Sequence, residues 1–184
     1  NVKRFMYTNP SATDKLLNKL TDATIEYLQG QIAAGVDAVQ IFDSWGGILA
    51  TEEYWCWSLK YIERIWKALS VARLPRILFV NNVAPYLHLL AEIDCEVIGV
   101  DYRADLSLVA AQLKDKSIQG NLDPNILFGS VDDIRRRTRK MLDRLQRLDN
   151  LIVNLGHGIL PQTPEQSVTA FVDEVHTYRK KTSR

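Results

Sequence analysis

The stretch Leu151-Ile152-Val153-Asn154-Leu155-Gly156-His157-Gly158 decides the fold class. A short apolar run passes directly into a loop with two glycines around a histidine. Runs of this length, rich in branched residues, read as strands buried in a sheet. Four more stretches repeat the pattern: Ala38–Asp43, Arg76–Val80, Glu96–Asp101 and Ser117–Leu122. Leu151–Asn154 is the fifth strand. Each run ends at polar or ionisable residues: Asp43 and Ser44, Asn81 and Asn82, Asp101, Asn121 and Asp123, Asn154 and His157.

Helical patterns fill the intervals. Asn9-Pro10 reads as a cap with proline at the first helical position, and an amphipathic helix follows to about Ala34, ended by Gly35. Thr51 to about Ser70 reads as a second helix. Pro85 opens a short one, and a weaker one runs over Leu106–Leu113. Ser130-Val131-Asp132-Asp133 fits a capping box, with Val131, Ile134, Met141, Leu145 and Leu148 at helical spacing behind it. Thr163 reads as the N-cap of the last helix, Pro164 as its first residue and Gln166 as the residue reaching back. Val168, Phe171, Val172 and Val175 form that helix's buried stripe. The Arg179-Lys180-Lys181 tail reads as frayed and solvated.

Strands alternating with helices imply parallel pairing through helical crossovers, an α/β fold. In such folds ligands bind at the carboxyl ends of the strands, so the polar strand ends are candidates to share one face. The expectation is a single domain over residues 1–184. A closed eightfold barrel needs about 250 residues. Five units are therefore an open sheet or the last five-eighths of a barrel, and periodicity alone does not separate the two. The chain begins at Asn1 rather than Met, as expected of an entry into the middle of something larger.

Composition narrows the function. The chain has 184 residues, a formal charge of +1 and 46% hydrophobic residues. Near-neutrality argues against a generic nucleic-acid surface. No stretch approaches a transmembrane length, and no signal peptide is seen. Cys56 and Cys95 do not form a short metal-ligand pair, so a reducing cytoplasm is the default.

Three segments carry a resemblance. Ala38-Val39-Gln40-Ile41-Phe42-Asp43-Ser44-Trp45-Gly46-Gly47 closely resembles a motif of the uroporphyrinogen decarboxylases. Gln119-Gly120-Asn121-Leu122-Asp123-Pro124 resembles a second. Asn154 to Ile159, followed by Pro161, Thr163-Pro164-Glu165 and Phe171-Val172-Asp173-Glu174-Val175-His176, resembles the family's carboxyl end. The resemblance covers nearly the whole chain, in the family's order. It implies a (β/α)8 TIM barrel, here roughly its last five β/α units. It also implies a lyase of heme biosynthesis that removes carbon dioxide from the four acetate arms of uroporphyrinogen to give coproporphyrinogen. No metal or organic cofactor takes part, and the family is usually a homodimer.

By the same resemblance, Ser44 and His157 bind substrate carboxylates. Phe42 lines the pocket or packs in the barrel interior, a choice the sequence leaves open. Asp43, Tyr102 and Asn121 are further pocket candidates, with a structural role competing at each. Asp123-Pro124 reads first as a turn or helix start. The family's arginine-rich loop, the aspartate facing the pyrrole nitrogens and an active-site tyrosine all lie upstream of the matched region. Inside it, Asn81-Asn82 and Asp101-Tyr102 depart from the family pattern. His88 and His176 read as structural or surface residues, and Arg135-Arg136-Arg137 as a solvated helix face.

Two other readings compete. A corrinoid-linked methyltransferase of the same superfamily would need zinc held by histidine and cysteine, and neither cysteine neighbours a histidine. A truncated, non-catalytic product is the third; a partial barrel would expose strand edges and apolar interior.

Overall fold

A computed structural model describes residues 1–145 and 148–179 of the chain. Five strands form one parallel sheet: β1 (Val39–Asp43), β2 (Arg76–Val80), β3 (Val97–Val100), β4 (Ser117–Leu122) and β5 (Leu151–Leu155). Their spatial order is their chain order. It has no switch point at which the strand order reverses, as a doubly wound open sheet would have. Right-handed crossovers, the rule for parallel strands, that always step the same way put the crossover helices on the same face. The helices are α1 (Val2–Thr8), α2 (Pro10–Ala33), α3 (Thr51–Tyr54), α4 (Lys60–Leu69), α5 (Leu87–Glu92), α6 (Leu106–Gln112), α7 (Val131–Asp143) and α8 (Glu165–Thr177).

Period-two alternation sorts the strand residues between the two faces. Val39, Leu78, Val80, Ile98, Val100, Ile118 and Leu122 form the helix-covered face and are 5% exposed or less. Each such side chain contributes about 2 kcal/mol by leaving water. Among the described residues, no helix covers the opposite face. There Phe42 is 66% exposed and Ile152 43%. A one-sided winding with a bare inner face is the geometry of a partial barrel, as the family resemblance implies.

The helical layer packs around Trp66, Tyr54 and Tyr86, all fully or almost fully buried. The rings of Tyr54 and Tyr86 stack at 4.2 Å. The predicted helix over Thr51–Ser70 forms as α3 and α4 joined by a wider π-helical segment, Trp55–Leu59. Along α4, Tyr61 donates to Asp14 at 2.6 Å and Arg64 to Asn18 at 2.7 Å, which docks α2. Buried Glu174 pairs with Arg139 and ties α8 to α7.

Some boundaries move for identifiable reasons. The last helix begins at Glu165, one residue beyond the predicted Pro164. The Pro164 carbonyl accepts from Ser167 and Val168, which makes Pro164 the N-cap; the Thr163 hydroxyl is buried without a partner. Ser130 caps α7 through the Asp133 amide at 3.3 Å. The Asp133 carboxylate turns instead to Arg136 and Arg137, so only half of the capping box forms. Helix α7 stops at Asp143, so Leu145 and Leu148 reach the core from beyond its end. The predicted Lys180-Lys181 tail lies outside the described residues. Among the described residues no helix is long and apolar enough to cross a membrane.

Below the sheet, at the amino ends of the strands, Arg76 is 7% exposed. It donates to both oxygens of Asp94 and both of Glu96, and to the Trp66 carbonyl at 3.2 Å. These bonds hold the Glu96 carboxyl below its ordinary value of 4.5. A depressed acid contributes its full stability above its unfolded value and loses it as pH falls through the folded one. Arg76→Met is therefore expected to cost about 2 kcal/mol at neutral pH, less than a sealed pair because both carboxylates are partly solvated. The gap between variant and wild-type melting temperatures should shrink as pH drops below 4.5. A gap independent of pH would disprove the Glu96 contribution.

Candidate functional site

A cavity of 430 Å³ opens on the bare face at the carboxyl ends of β1, β2, β4 and β5. Its polar wall is Ser44, Gln119, Asn154 and His157; its apolar wall is Phe42, Phe79, Leu155 and Ile159. The residues come from strands far apart in sequence. Phe42, Phe79, Gly99, Gln119 and Ile152 stand in one row across the sheet register. Gly99 has no side chain, and the Phe79 ring lies against it, where an added Cβ would meet Phe79 at 3.1 Å. The Phe42 and Phe79 rings meet at 5.9 Å and floor the cavity. No carboxylate among the described residues lines it.

Two loops deliver the residues expected to bind substrate. Ser44 follows β1 in a turn held by Asp43, which accepts from the Gly46 amide at 3.0 Å and from the Ser58 hydroxyl at 2.5 Å. Ser58 comes from the π-helical segment. Gly47 packs so closely on the next strand end that a Cβ there would lie 1.8 Å from the Asn81 carbonyl. Asn82, at φ 58°, donates to the Gly47 carbonyl at 3.1 Å and closes the same contact. Asn81 and Asn82 thus have a local use: they brace the Ser44 loop.

His157 leaves β5 through a tighter constraint. The Gly156 amide donates to Leu122 at 2.8 Å, and its carbonyl accepts from Tyr102 at 3.3 Å. A Cβ on Gly156 would lie 2.2 Å from the Tyr102 nitrogen. The first glycine of the loop serves this close approach of the chain's own backbone. Around Gly158 there is open space. The Ser44 hydroxyl and the His157 imidazole make no hydrogen bond among the described residues, so both are free to bind a ligand.

Several expected residues lie elsewhere. Asp43, Tyr102 and Asn121 do not line this cavity. Asp43 faces the helices through its bonds to Gly46 and Ser58. Asn121 is 7% exposed and donates to the carbonyls of Asp101 and Ala104 at 2.9 and 2.7 Å. Tyr102 lies under the Arg103 guanidinium at 5.3 Å. Asp101 is 1% exposed and accepts from Val83, at 2.9 Å, and from Arg103, which joins the loops after β2 and β3. Asp123 accepts from the Asn125 amide at 2.9 Å, a turn cap. His88 and His176 are exposed on α5 and α8. Conversely, Phe79 and Gln119 line the cavity although their types and spacing mark neither as a pocket residue. Alternation put Gln119 on the face opposite Ile118; only the register across strands placed it beside the loops.

The model of the family described as uroporphyrinogen decarboxylase (URO-D) matches residues 1–178. The chain belongs to the uroporphyrinogen decarboxylase family. It is 39% identical over 181 residues to the uroporphyrinogen decarboxylase of Methylococcus capsulatus, covering 96% of this chain and 52% of that protein. With the enzyme of Syntrophotalea carbinolica it shares 40% over 176 residues, 95% of this chain and 51% of that one. With that of Citrifermentans bemidjiense it shares 37% over 180 residues, 98% and 53%. The chain thus spans about half the length of the curated relatives it matches. Among solved structures, a methyltransferase from Methanosarcina mazei superposes with a TM-score of 0.78 at 24% identity, over 95% of this chain and 52% of that one. That likeness shows a shared fold and carries no chemistry. Cys95 is poorly placed to ligate a metal with His157. Cys95 sits at the amino end of β3, the far end of the sheet, and burial pushes its thiol up to about 11.

Proposed function

We propose that this chain supplies one wall of the substrate pocket of a uroporphyrinogen decarboxylase, which converts the four acetate side chains of uroporphyrinogen III to methyls and yields coproporphyrinogen III. The observation that carries the reading is the cavity at the strand ends, with hydrogen-bond donors above an aromatic floor and no carboxylate among the described residues that line it. A pyrrole macrocycle bearing acetates needs that combination. Its rings prefer apolar contact, and its carboxylates prefer hydrogen-bond donors.

The chemistry needs an electron sink. A proton added to a pyrrole carbon makes the ring cationic. The bond between the methylene and the carboxylate carbon then breaks, its electron pair flows into the ring, and carbon dioxide leaves. Reprotonation of the methylene gives the methyl, and the ring loses its added proton. Ser44 and His157 hold carboxylates in this scheme, and Phe42 packs against the macrocycle. Stabilising the cationic ring is electrostatic work that calls for a carboxylate facing it. None lines this cavity, so that part of the reaction belongs to groups beyond this wall. A homodimer in the cytoplasm, without metal or organic cofactor, completes the reading.

The test is calorimetric titration of the chain with uroporphyrinogen I under anaerobic, reducing conditions, with carbon dioxide release measured in parallel. Saturable binding without carbon dioxide is expected. No binding at millimolar ligand would overturn the pocket. Turnover by the chain alone would overturn the assignment of the ring-protonating chemistry to groups outside it.

A further inference from the structure

We propose that Gln119 is a further substrate-binding residue: its side-chain NH2 donates to a carboxylate of the bound tetrapyrrole, and Asn154 holds it in the donating orientation. The proposal rests on the pocket reading above.

The orientation follows from a donor that cannot be reversed. The backbone N–H of Leu155 can only donate, and it donates to Asn154 Oδ1 at 2.8 Å. That fixes which end of the Asn154 amide is oxygen. The other end, Nδ2, donates to Gln119 Oε1 at 3.0 Å. The Gln119 oxygen is therefore spent on Asn154, and its NH2 is the group left over. No residue among those described accepts from it. Gln119 is only 8% exposed, yet it forms part of the cavity wall. The Gln119 amide forms part of the cavity wall, and its nitrogen can only donate. The acceptor that fits it is a carboxylate oxygen of a bound ligand.

Position supports the same conclusion. On β3, the neighbour of Gln119 in register is Gly99, which adds no side chain between Gln119 and Phe79. Gln119 therefore stands above the aromatic floor. With Ser44 and His157 it makes three donor-bearing groups, from β4 and from the loops after β1 and β5, in one cavity. Asn154 acts through Gln119 and is a positioning residue.

The experiment uses the whole chain, uroporphyrinogen I as probe and anaerobic calorimetry. Gln119→Met keeps the length and removes the donors; binding should weaken roughly tenfold. Gln119→Glu puts a carboxylate where the substrate's should lie, and binding should fall further. Asn154→Leu removes the donor that holds the Gln119 oxygen and adds no charge, so the glutamine amide turns freely and binding should weaken, by less than in Gln119→Met. The double variant Asn154→Leu/Gln119→Met should bind no worse than Gln119→Met alone. This non-additivity separates positioning from a general structural effect. Melting temperatures of Gln119→Met and Asn154→Leu should stay near wild type. If the wild type binds and both single variants bind equally well, the proposal is overturned while the pocket stands. Additive losses in the double variant would overturn the positioning role. If the wild type does not bind, the pocket reading falls and the proposal with it.

Discussion

Gly156→Ala is expected to destabilise the chain by about 3 kcal/mol, at the upper end of what overpacking costs. The added Cβ would lie 2.2 Å from the Tyr102 nitrogen and 2.6 Å from its Cα. Both atoms are backbone, so no rotamer change relieves the clash. The strand-end loops must separate, and the bonds from Gly156 to Leu122 and from Tyr102 to Gly156 are lost together. The melting temperature should fall by on the order of 10 °C. His157 would move with the loop, so uroporphyrinogen binding should weaken as well. Gly158→Ala is the control, since nothing lies within 4 Å of its added Cβ. Its stability should stay within about 0.5 kcal/mol of wild type. If thermal denaturation shows the two variants equally stable, the close approach does not matter in solution.

Ser44→Ala combined with His157→Ala is expected to weaken uroporphyrinogen binding about a hundredfold, with each single change accounting for roughly tenfold. Hydrogen bonds to charged acceptors are the stronger class, and here the acceptors are carboxylates. Neither side chain makes a hydrogen bond among the described residues, so removing them takes nothing from the fold. The double variant should melt at the wild-type temperature. Unchanged affinity in the double variant would remove both residues from the pocket.

Much of this architecture is legible in the sequence. Its apolar runs match five strands, β2 and β4 at their observed limits and β1, β3 and β5 within a residue at either end. The reason is burial: parallel strands under a helical layer are nearly continuous apolar runs, bounded by Gly, Pro and polar residues. The helix limits were less legible. Thr163 looked like a cap because its type and spacing fit one, yet the Pro164 carbonyl took the first helical bond. Leu145 and Leu148 continued the helical spacing of α7 only because core contacts beyond a helix end still favour apolar residues.

The site was legible in part. The resemblance names Ser44 and His157, and they face one cavity. Asp43, Tyr102 and Asn121 share the strand ends with them but turn to other work: Asp43 braces its own loop, Asn121 binds neighbouring carbonyls, and Tyr102 meets Gly156 through its backbone. A strand end is a position along one chain direction. Which way a side chain leaves it depends on the local turn, and turns are set by contacts between loops distant in sequence.

The sequence by itself determined the alternation of strands and helices, the parallel α/β class, the family and the titratable loop at the last strand. These follow from local periodicity and from residue motifs, which one chain read end to end contains. Tertiary structure alone decided that the strands lie in chain order with one face bare. It also decided that Gly156 makes room for Tyr102, and that Gln119 and Asn154 form an amide pair with one donor left for a ligand. Those are properties of register and of contacts between loops, where backbones from separate segments approach within a few ångströms. No pattern along the chain encodes such distances directly.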